Sequence, residues 1–338
     1  MNEEQELKAL SGREWAARLI DDPLLAGQCP WEKLNGNDWS RLLCDKPQFA
    51  DKCDWAKLDG YDWSYLLCAQ PQFADKCDWS KLDGNDWSML LCDKPQFANK
   101  CDWSKLDGRD WACLLRGQPQ FADKCDWSRL NAGSWVALLM ERPEFADQCD
   151  WTEINHADHG FGERSGQMWA ALLSARPEFA DKCDWSVLSL NSWADLLSVR
   201  PEFADKCDQW GCEVWLDEPF YPTGYNWVKL LKAQPQFADK CDWGGMEGSC
   251  LASVFVAHPA LMDKCDWSKV GGTAWAGLLA KQPQLTVKCP WEKLDGGDWS
   301  WLLSFQPQFT DKCDWSKLDD DDWKRLLSIQ PQFAKFKP

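Results

Sequence analysis

Two sets of side chains in this sequence could do chemistry. The chain of 338 residues has 18 cysteines and three histidines, and His156 and His159 form an H-x-x-H pattern. Imidazole and thiolate are preferred zinc ligands, so His156 and His159, with Glu163 or Cys149, are weak candidate metal ligands. The pattern lacks the glutamate of H-E-x-x-H, and its glycine-rich surroundings do not favour a helix. No nucleophile–base set, phosphate loop or nucleotide fingerprint occurs elsewhere, so we predict no cofactor.

Most of the cysteines recur at a fixed spacing, which indicates a tandem repeat. Twelve of them begin a C-D-W type motif and follow each other by 24 residues, except for two steps of 34, at positions 29, 53, 77, 101, 125, 149, 183, 207, 241, 265, 289 and 313. Such a period is typical of solenoids. Equivalent residues of stacked helices lie about 8–10 Å apart, whereas a disulfide needs Cα atoms roughly 4.4–6.8 Å apart. We therefore expect buried, reduced thiols and no disulfides.

The repeated unit contains the signals of a short α-helix. Trp87, Leu90 and Leu91 fall at i, i+3 and i+4, which places them on one helix face. Asp86 is predicted to cap this helix and Pro95 to end it after about two turns. Since residues at this spacing are usually core, the helix tryptophans are predicted to be buried between neighbouring coils.

Two further helical pieces complete the unit. Pro95 is predicted to open a second turn as its first helical residue. Asp102 is predicted to cap a third piece, W-S-K-L, which Gly108 closes. Val and Ile are scarce and no segment alternates with period two, so the unit is not predicted to contain a strand.

A unit of 24 residues with a Leu-Leu pair, a proline four residues later and alternating short helices resembles the leucine-rich variant repeats. That resemblance implies α- and 3₁₀-helices stacked in a right-handed superhelix. The C-D-W and D-W tryptophans depart from that family's motif, and no C-x-x-C of its iron–sulfur members occurs here. The repeated segment P-Q-F-A-D-K-C-D-W-S-K-L also resembles tandem repeats of uncharacterised bacterial proteins, from which no function can be transferred.

The sequence thus predicts an all-α protein, a superhelical solenoid of about twelve 24-residue coils built from short α- and 3₁₀-helices. We expect one domain over residues 1–338, in which 1–22 form an N-terminal cap and degenerate first unit, 23–330 the tandem repeats and 331–338 a truncated C-terminal cap. Insertions of about ten residues, near 152–168 and 210–226, interrupt the period at the same point of the coil. Insertions on one edge often form a binding side, so Trp215, Tyr221 and Tyr225 are candidate binding residues.

Charge and termini limit the class of partner. The chain has 54 acidic and 37 basic residues and a formal net charge of -17. Because phosphates would be repelled, we expect neither a nucleic-acid nor a membrane partner. The first residues have no cationic segment followed by a long apolar run, so we expect no signal peptide and a cytoplasmic location, with leaderless export left open.

Three positions of the unit vary most: those two before, two after and six after the helix tryptophan. Their i, i+4, i+8 spacing places them on one exposed helix face, called here the varied face. Repeat scaffolds present binding surfaces in this way, although drift on any exposed surface would give the same pattern. The candidate binding residues on the varied face are Arg41, Tyr61, Tyr65, Met89, Arg109, Trp301, Phe305, Arg325 and Ile329.

The function that these features favour is a non-catalytic repeat scaffold that binds a protein partner through the varied face and the two insertions. The alternative is a module that binds glycans or cell-wall polymers through exposed aromatic rings. A metal-dependent enzyme that uses the histidine-containing insertion is the third hypothesis.

Overall fold

The computed structural model describes residues 7, 9–156, 164–208, 224–241 and 243–337. Within these residues the secondary structure is α- and 3₁₀-helical without strands, in the predicted repeating order, which confirms the all-α solenoid. The α-helices are α1 Gly12–Asp21, α2 Gly36–Asp45, α3 Gly60–Ala69, α4 Gly84–Asp93, α5 Gly108–Gly117, α6 Ala132–Glu141, α7 Trp151–Asn155, α8 Arg164–Ala175, α9 Leu190–Val199, α10 Tyr225–Ala233, α11 Gly248–Ala257, α12 Gly272–Lys281, α13 Gly296–Phe305 and α14 Asp320–Ile329.

Two kinds of 3₁₀-helix connect the α-helices. A 3₁₀-helix that begins with proline follows each α-helix except α7, and in most coils a three-residue 3₁₀-helix follows at the C-D-W tryptophan. The first kind comprises Pro23–Gln28, Pro47–Lys52, Pro71–Lys76, Pro95–Lys100, Pro119–Lys124, Pro143–Gln148, Pro177–Lys182, Pro201–Lys206, Pro235–Lys240, Pro259–Asp263, Pro283–Lys288, Pro307–Lys312 and Pro331–Phe336. The second comprises Trp31–Lys33, Trp55–Lys57, Trp79–Lys81, Trp103–Lys105, Trp127–Arg129, Trp185–Val187, Trp243–Gly245, Trp291–Lys293 and Trp315–Lys317.

The chain divides into two compact units, Met1–Ile154 and Asn155–Pro338. In the first unit, consecutive helices from α1 to α6 contact each other. In the second unit, consecutive helices from α8 to α14 do the same. Among the described helices, none combines the length and apolar character that crossing a membrane requires.

The start of the α-helix corrects the predicted cap. The N-cap of α4 is Asp83, whose side chain accepts a hydrogen bond from the Asp86 N–H at 2.9 Å. Asp86 lies three residues inside the helix, and its carboxylate accepts from the Asp83 N–H at 3.1 Å, which completes a capping box. The predicted cap at Asp86 and length of two turns were therefore wrong, since α4 has ten residues, close to three turns. Pro95 follows the helix and opens the next 3₁₀-helix, as predicted.

The third piece of the coil begins as predicted but ends differently. Asp102 caps Trp103–Lys105 by accepting from the Ser104 N–H at 3.1 Å. Gly108 does not close this piece, because it is the first residue of α5. A glycine is required at the equivalent helix start in α4, since a Cβ on Gly84 would overlap the Lys105 carbonyl and the Asp110 carboxylate of the next coil.

The core of each coil is built from aromatic rings. Trp87 is fully buried and its ring stacks on that of Trp79, with centroids 5.4 Å apart. Trp79 in turn meets the ring of Phe97 at 5.5 Å and a tilt of 51°. Trp299 and Trp291 repeat the stack in the second unit, also at 5.4 Å. The prediction that the helix tryptophans are core is correct, and stacked indoles of this size contribute much of the buried apolar area.

Hydrogen bonds from long polar side chains connect neighbouring coils within the described residues. The Lys105 ammonium donates to the carbonyl of Ser80 at 2.7 Å and to that of Leu82. The Gln118 amide donates to the Cys92 carbonyl, at the end of α4, at 2.6 Å. These bonds satisfy carbonyl groups that have no partner within their own short helices.

The described cysteines are all free thiols. Burial raises the pKa of Cys101 to about 12, so this thiol stays protonated at neutral pH. The prediction that the thiols are buried holds fully only for Cys29, Cys207, Cys250, Cys265 and Cys289, whereas most of the other described cysteines are half-buried and Cys113 is exposed.

Candidate functional site

In the first unit, the varied face lies on the solvent side of the α-helices. Arg41, Tyr61, Tyr65 and Arg109 are exposed, and Met89 is half-buried. The tyrosines lie one turn apart on α3, and their rings stack at a centroid distance of 6.4 Å and an interplanar angle of 14°. The capped, ten-residue helix thus presents two neighbouring, nearly parallel aromatic rings to solvent.

In the second unit, the varied face carries larger apolar groups. Trp301 is 40% exposed and Phe305 60% exposed, and their rings meet at 5.0 Å with a tilt of 55°. Ile329 and Arg325 are exposed on the next helix, α14. Exposed aromatic and aliphatic side chains held on a rigid helix lose little rotamer freedom on binding, which makes them suitable anchors.

The structure describes only part of the two insertions. Trp215, Tyr221, His159 and Glu163 lie outside the described residues. Tyr225 is the first residue of α10, two positions before the helix tryptophan Trp227, so this exposed side chain belongs to the varied face.

Of the candidate metal ligands, His156 and Cys149 lie within the described residues. His156 is exposed just after α7. Cys149 is half-buried, and burial together with the neighbouring Asp150 charge raises its pKa to about 12, which disfavours the thiolate that metals bind. No cluster of three or more His, Cys, Asp or Glu side chains suited to a metal occurs among the described residues.

A groove of about 750 Å³ lies across the starts of three helices of the second unit. Its walls include residues 245–249 before and at the start of α11, residues 271–274 with 276 and 277 of α12, and Gly297 and Asp298 of α13. Trp301 and Arg325 from the varied face complete the wall. The groove therefore joins two of the predicted binding residues to a concave surface.

Small side chains open this groove. Two positions before the helix tryptophan or its counterpart, the three helices have Ser249, Thr273 and Gly297, and Gly277 lies two positions after Trp275. The equivalent positions of α3 hold Tyr61 and Tyr65. Where α11 and α12 cross, Gly277 also permits a close approach, since a Cβ there would lie 3.3 Å from the Cα of Gly248.

Two helix starts in the groove lack a side-chain cap. Gly271 is the N-cap of α12, and Glu247, the N-cap of α11, makes no capping hydrogen bond. By contrast, α2 to α5, α13 and α14 all begin with a capping box. The start of α12, which lines the groove, thus lacks a side-chain cap, and the helix dipole adds partial positive charge there.

Arg325 adds a full positive charge on the same side. Its guanidinium forms no ion pair within 4 Å among the described residues, although the chain as a whole is strongly acidic. The Asp319 charge attracts Arg325, and the Asp298 carboxylate also lines the groove, where burial raises the pKa of Asp298 and the Thr273 hydroxyl donates to it. The groove therefore combines an aromatic wall, a cation and a helix start without a side-chain cap.

The groove was not predicted, although the sequence contains a signal of the uncapped helix start that lines it. The segment V-G-G-T-A-W-A-G at 270–277 replaces the usual L-D-G-x-D-W-S and loses both aspartates of the capping box. Neither a protein-family model, nor a curated protein, nor a solved structure matches this chain, so the functional argument depends on the geometry of the site.

Proposed function

We propose that this protein is a non-catalytic repeat scaffold that binds a segment of a partner protein along the varied face. The observation that carries the proposal is the groove beside Trp301 and Arg325, where the varied face becomes concave. Elsewhere the repeated core, caps and inter-coil bonds are nearly the same from coil to coil, so the differences between coils are concentrated on one solvent-exposed side.

The chemistry of the groove favours one kind of segment. Trp301 and Phe305 provide an apolar contact for an aromatic or aliphatic anchor. Arg325 can form a bidentate pair with a carboxylate, and the uncapped start of α12 favours the same charge. The preferred partner segment therefore carries an apolar side chain next to an acidic one.

A second candidate function rests on the first unit. The rings of Tyr61 and Tyr65 are nearly parallel and exposed, an arrangement on which flat apolar faces of sugar rings can stack. On this basis the alternative proposal is glycan or cell-wall polymer binding by α3.

The first proposal can be tested with a phage-displayed library of random peptides selected on the full chain. We expect the selected peptides to contain an apolar residue next to Asp or Glu. Their affinities, measured by fluorescence anisotropy, should fall at least about tenfold on Trp301→Ala or Arg325→Gln, which corresponds to about 1.4 kcal/mol. Val287→Ala is the matched control, because Val287 is an exposed apolar residue of the same unit outside the varied face.

Two outcomes would count against this proposal. Peptides that bind the Trp301→Ala and Arg325→Gln variants as tightly as the unaltered chain would show that the groove is not their site. Binding to a panel of soluble polysaccharides that is lost on Tyr61→Ala and Tyr65→Ala, with no peptide selected, would instead favour the glycan function.

A further inference from the structure

The tryptophan core contains a row of buried polar atoms that have no protein partner. The indole Nε1–H groups of the helix tryptophans are buried without a hydrogen bond in eight coils: Trp15, Trp39, Trp63, Trp87, Trp111, Trp193, Trp275 and Trp299. An unsatisfied buried donor is destabilising, and native proteins rarely leave one. Its recurrence at the same position indicates a feature of the coil itself.

One coil of the second unit shows what satisfies this donor. The Trp169 Nε1–H donates to Asn155 Oδ1 at 2.7 Å. The same oxygen accepts from the Asp184 N–H at 3.1 Å, and Asn155 Nδ2 donates to the Lys182 carbonyl at 3.3 Å. A single amide side chain thus connects one indole N–H, one backbone N–H and one backbone carbonyl.

The two backbone groups recur in the regular coils. Lys182 and Asp184 follow Trp169 by 13 and 15 residues, and Lys100 and Asp102 follow Trp87 by the same intervals. The backbone is nearly the same at both places, with φ −87° and ψ 91° at Asp102 against φ −79° and ψ 99° at Asp184. The backbone hydrogen bonds of the coil use neither the Lys100 carbonyl nor the Asp102 N–H.

We propose that an ordered water molecule occupies, in the regular coils, the position that the Asn155 amide fills in its own coil. In the α4 coil this water accepts hydrogen bonds from Trp87 Nε1–H and the Asp102 N–H, and donates one to the Lys100 carbonyl. Three hydrogen bonds are typical of a buried structural water. The proposal assigns a water-binding site to each coil that has these three groups, those of Trp39, Trp63, Trp87, Trp111, Trp193 and Trp299.

Two coils provide an internal comparison. The residue 15 positions after Trp15 is Pro30, and the residue 15 positions after Trp275 is Pro290. Proline has no backbone N–H, so a water there has one partner fewer. We expect the water beside Trp15 and Trp275 to exchange faster than the water beside Trp87.

The test uses the full chain labelled with ¹⁵N at the indole nitrogens, with each signal assigned through a single Trp→Phe variant. Rotating-frame cross-relaxation should show a long-lived water at Nε1–H of Trp87 and Trp299, and none at Trp169. Asn155→Ala should create a water contact at Trp169, whereas Asn155→Leu, which fills the site with apolar atoms, should not.

Each result bears directly on the proposal. Water contacts at Trp87 and Trp299 that are weaker at Trp275 support it, and so does a new contact at Trp169 in Asn155→Ala. The absence of a water contact at both Trp87 and Trp299 in the unaltered chain would overturn it. An equally strong contact at Trp169 in the unaltered chain would also overturn it, because Asn155 would then not replace the water.

Discussion

Helices α2–α5 of the first unit and α11–α14 of the second share the same buried ring stacks and inter-coil hydrogen bonds, called here the frame. The two groups present different surfaces on this frame. In both groups a buried aromatic stack fills the coil, at 5.4 Å for Trp79 with Trp87 and for Trp291 with Trp299. In both, a lysine reaches back to two carbonyls of the preceding coil, as Lys317 does to Glu292 and Leu294 at 2.8 and 2.7 Å. The first group has complete capping boxes, whereas α11 and α12 lack side-chain caps and line a groove.

The frame even tolerates the loss of its principal residue. Helix α11 has Leu251 in place of the tryptophan. Phe255, one turn later, stacks on Trp243 at 5.7 Å and an angle of 19°, so a ring still fills the space beside the C-D-W tryptophan. The difference between the two regions shows that stacks and inter-coil bonds maintain the coil, while caps and outer side chains can change with the surface.

The largest expected effect tests whether the frame is equally important in both regions. Trp87→Ala and Trp299→Ala should each lower the free energy of unfolding by about 3–5 kcal/mol, because each removes a fully buried indole and leaves a cavity. Trp301→Ala should change it by less than about 1 kcal/mol, since that ring lies on the varied face. Urea unfolding followed by far-UV circular dichroism measures all three.

This prediction has two ways to fail. If Trp301→Ala destabilises the chain as much as Trp299→Ala, then Trp301 belongs to the core and not to a binding surface. If Trp87→Ala and Trp299→Ala differ several-fold, the two regions do not share one frame.

Much of the fold could be predicted from the sequence, because spacing within a coil is a local property. The 24-residue period is read directly from the spacing of the residues. Helix geometry then predicts that the proline opens the 3₁₀-helix and that Trp87 is buried. The bonds of Lys105 could not be foreseen, since they join residues 23 and 25 positions apart and depend on how the coils stack. The cap at Asp83 could not be identified, because Asp83 and Asp86 both precede the helix tryptophan and the sequence does not show which of them lies outside the first turn.

The candidate site was only partly predictable for a related reason. The varied face follows from i, i+4, i+8 spacing, so Trp301, Phe305 and Arg325 could be assigned to it. The groove results from missing side chains at Gly277 and Gly297, and glycines carry no side-chain chemistry that would indicate binding. In the two insertions, the candidate residues Trp215, Tyr221 and His159 lie outside the described residues.

The second prediction concerns pH and the aspartate of the capping box, which α4 has as Asp86 and α12 replaces with Ala274. Burial and, to a smaller extent, the nearby Asp83 charge raise the pKa of Asp86 from 3.8 to about 6. The hydrogen bond from the Asp83 N–H acts in the opposite direction and lowers the pKa. Between pH 4 and 6 the folded chain therefore holds a proton that the unfolded chain has lost. The contribution of Asp86 to the free energy of unfolding should fall as pH rises through this window and level off above it.

Asp86→Asn removes this titration. We expect the difference in unfolding free energy between Asp86→Asn and the unaltered chain to shift in favour of the variant from pH 4 to pH 7, in urea titrations at several pH values. Asp102→Asn is the control, because its hydrogen bonds with Ser104 lower the pKa of Asp102 and move its titration below this window. A parallel pH dependence for Asp86→Asn and the unaltered chain would mean that Asp86 ionises normally in the folded state.

The smallest expected effect comes from giving α12 the cap that the first unit has. The backbone at Gly271, with φ −78° and ψ 172°, is extended like that of the N-cap Asp83, and a Cβ on Gly271 would have no atom within 4 Å. An aspartate therefore fits there and can accept from the first-turn N–H groups. Gly271→Asp should stabilise the chain by about 0.5–1 kcal/mol, part from the cap and part from a less flexible unfolded chain. Gly271→Ala separates these contributions, since it restricts the unfolded chain without adding an acceptor.

Because the new carboxylate would occupy the helix start and repel an acidic ligand, Gly271→Asp should also weaken the binding of groove-selected peptides, while Gly271→Ala should not. Equal stabilisation by the two variants would show that the start of α12 needs no cap, and unchanged peptide affinity in Gly271→Asp would show that this helix start does not contribute to the groove's selectivity.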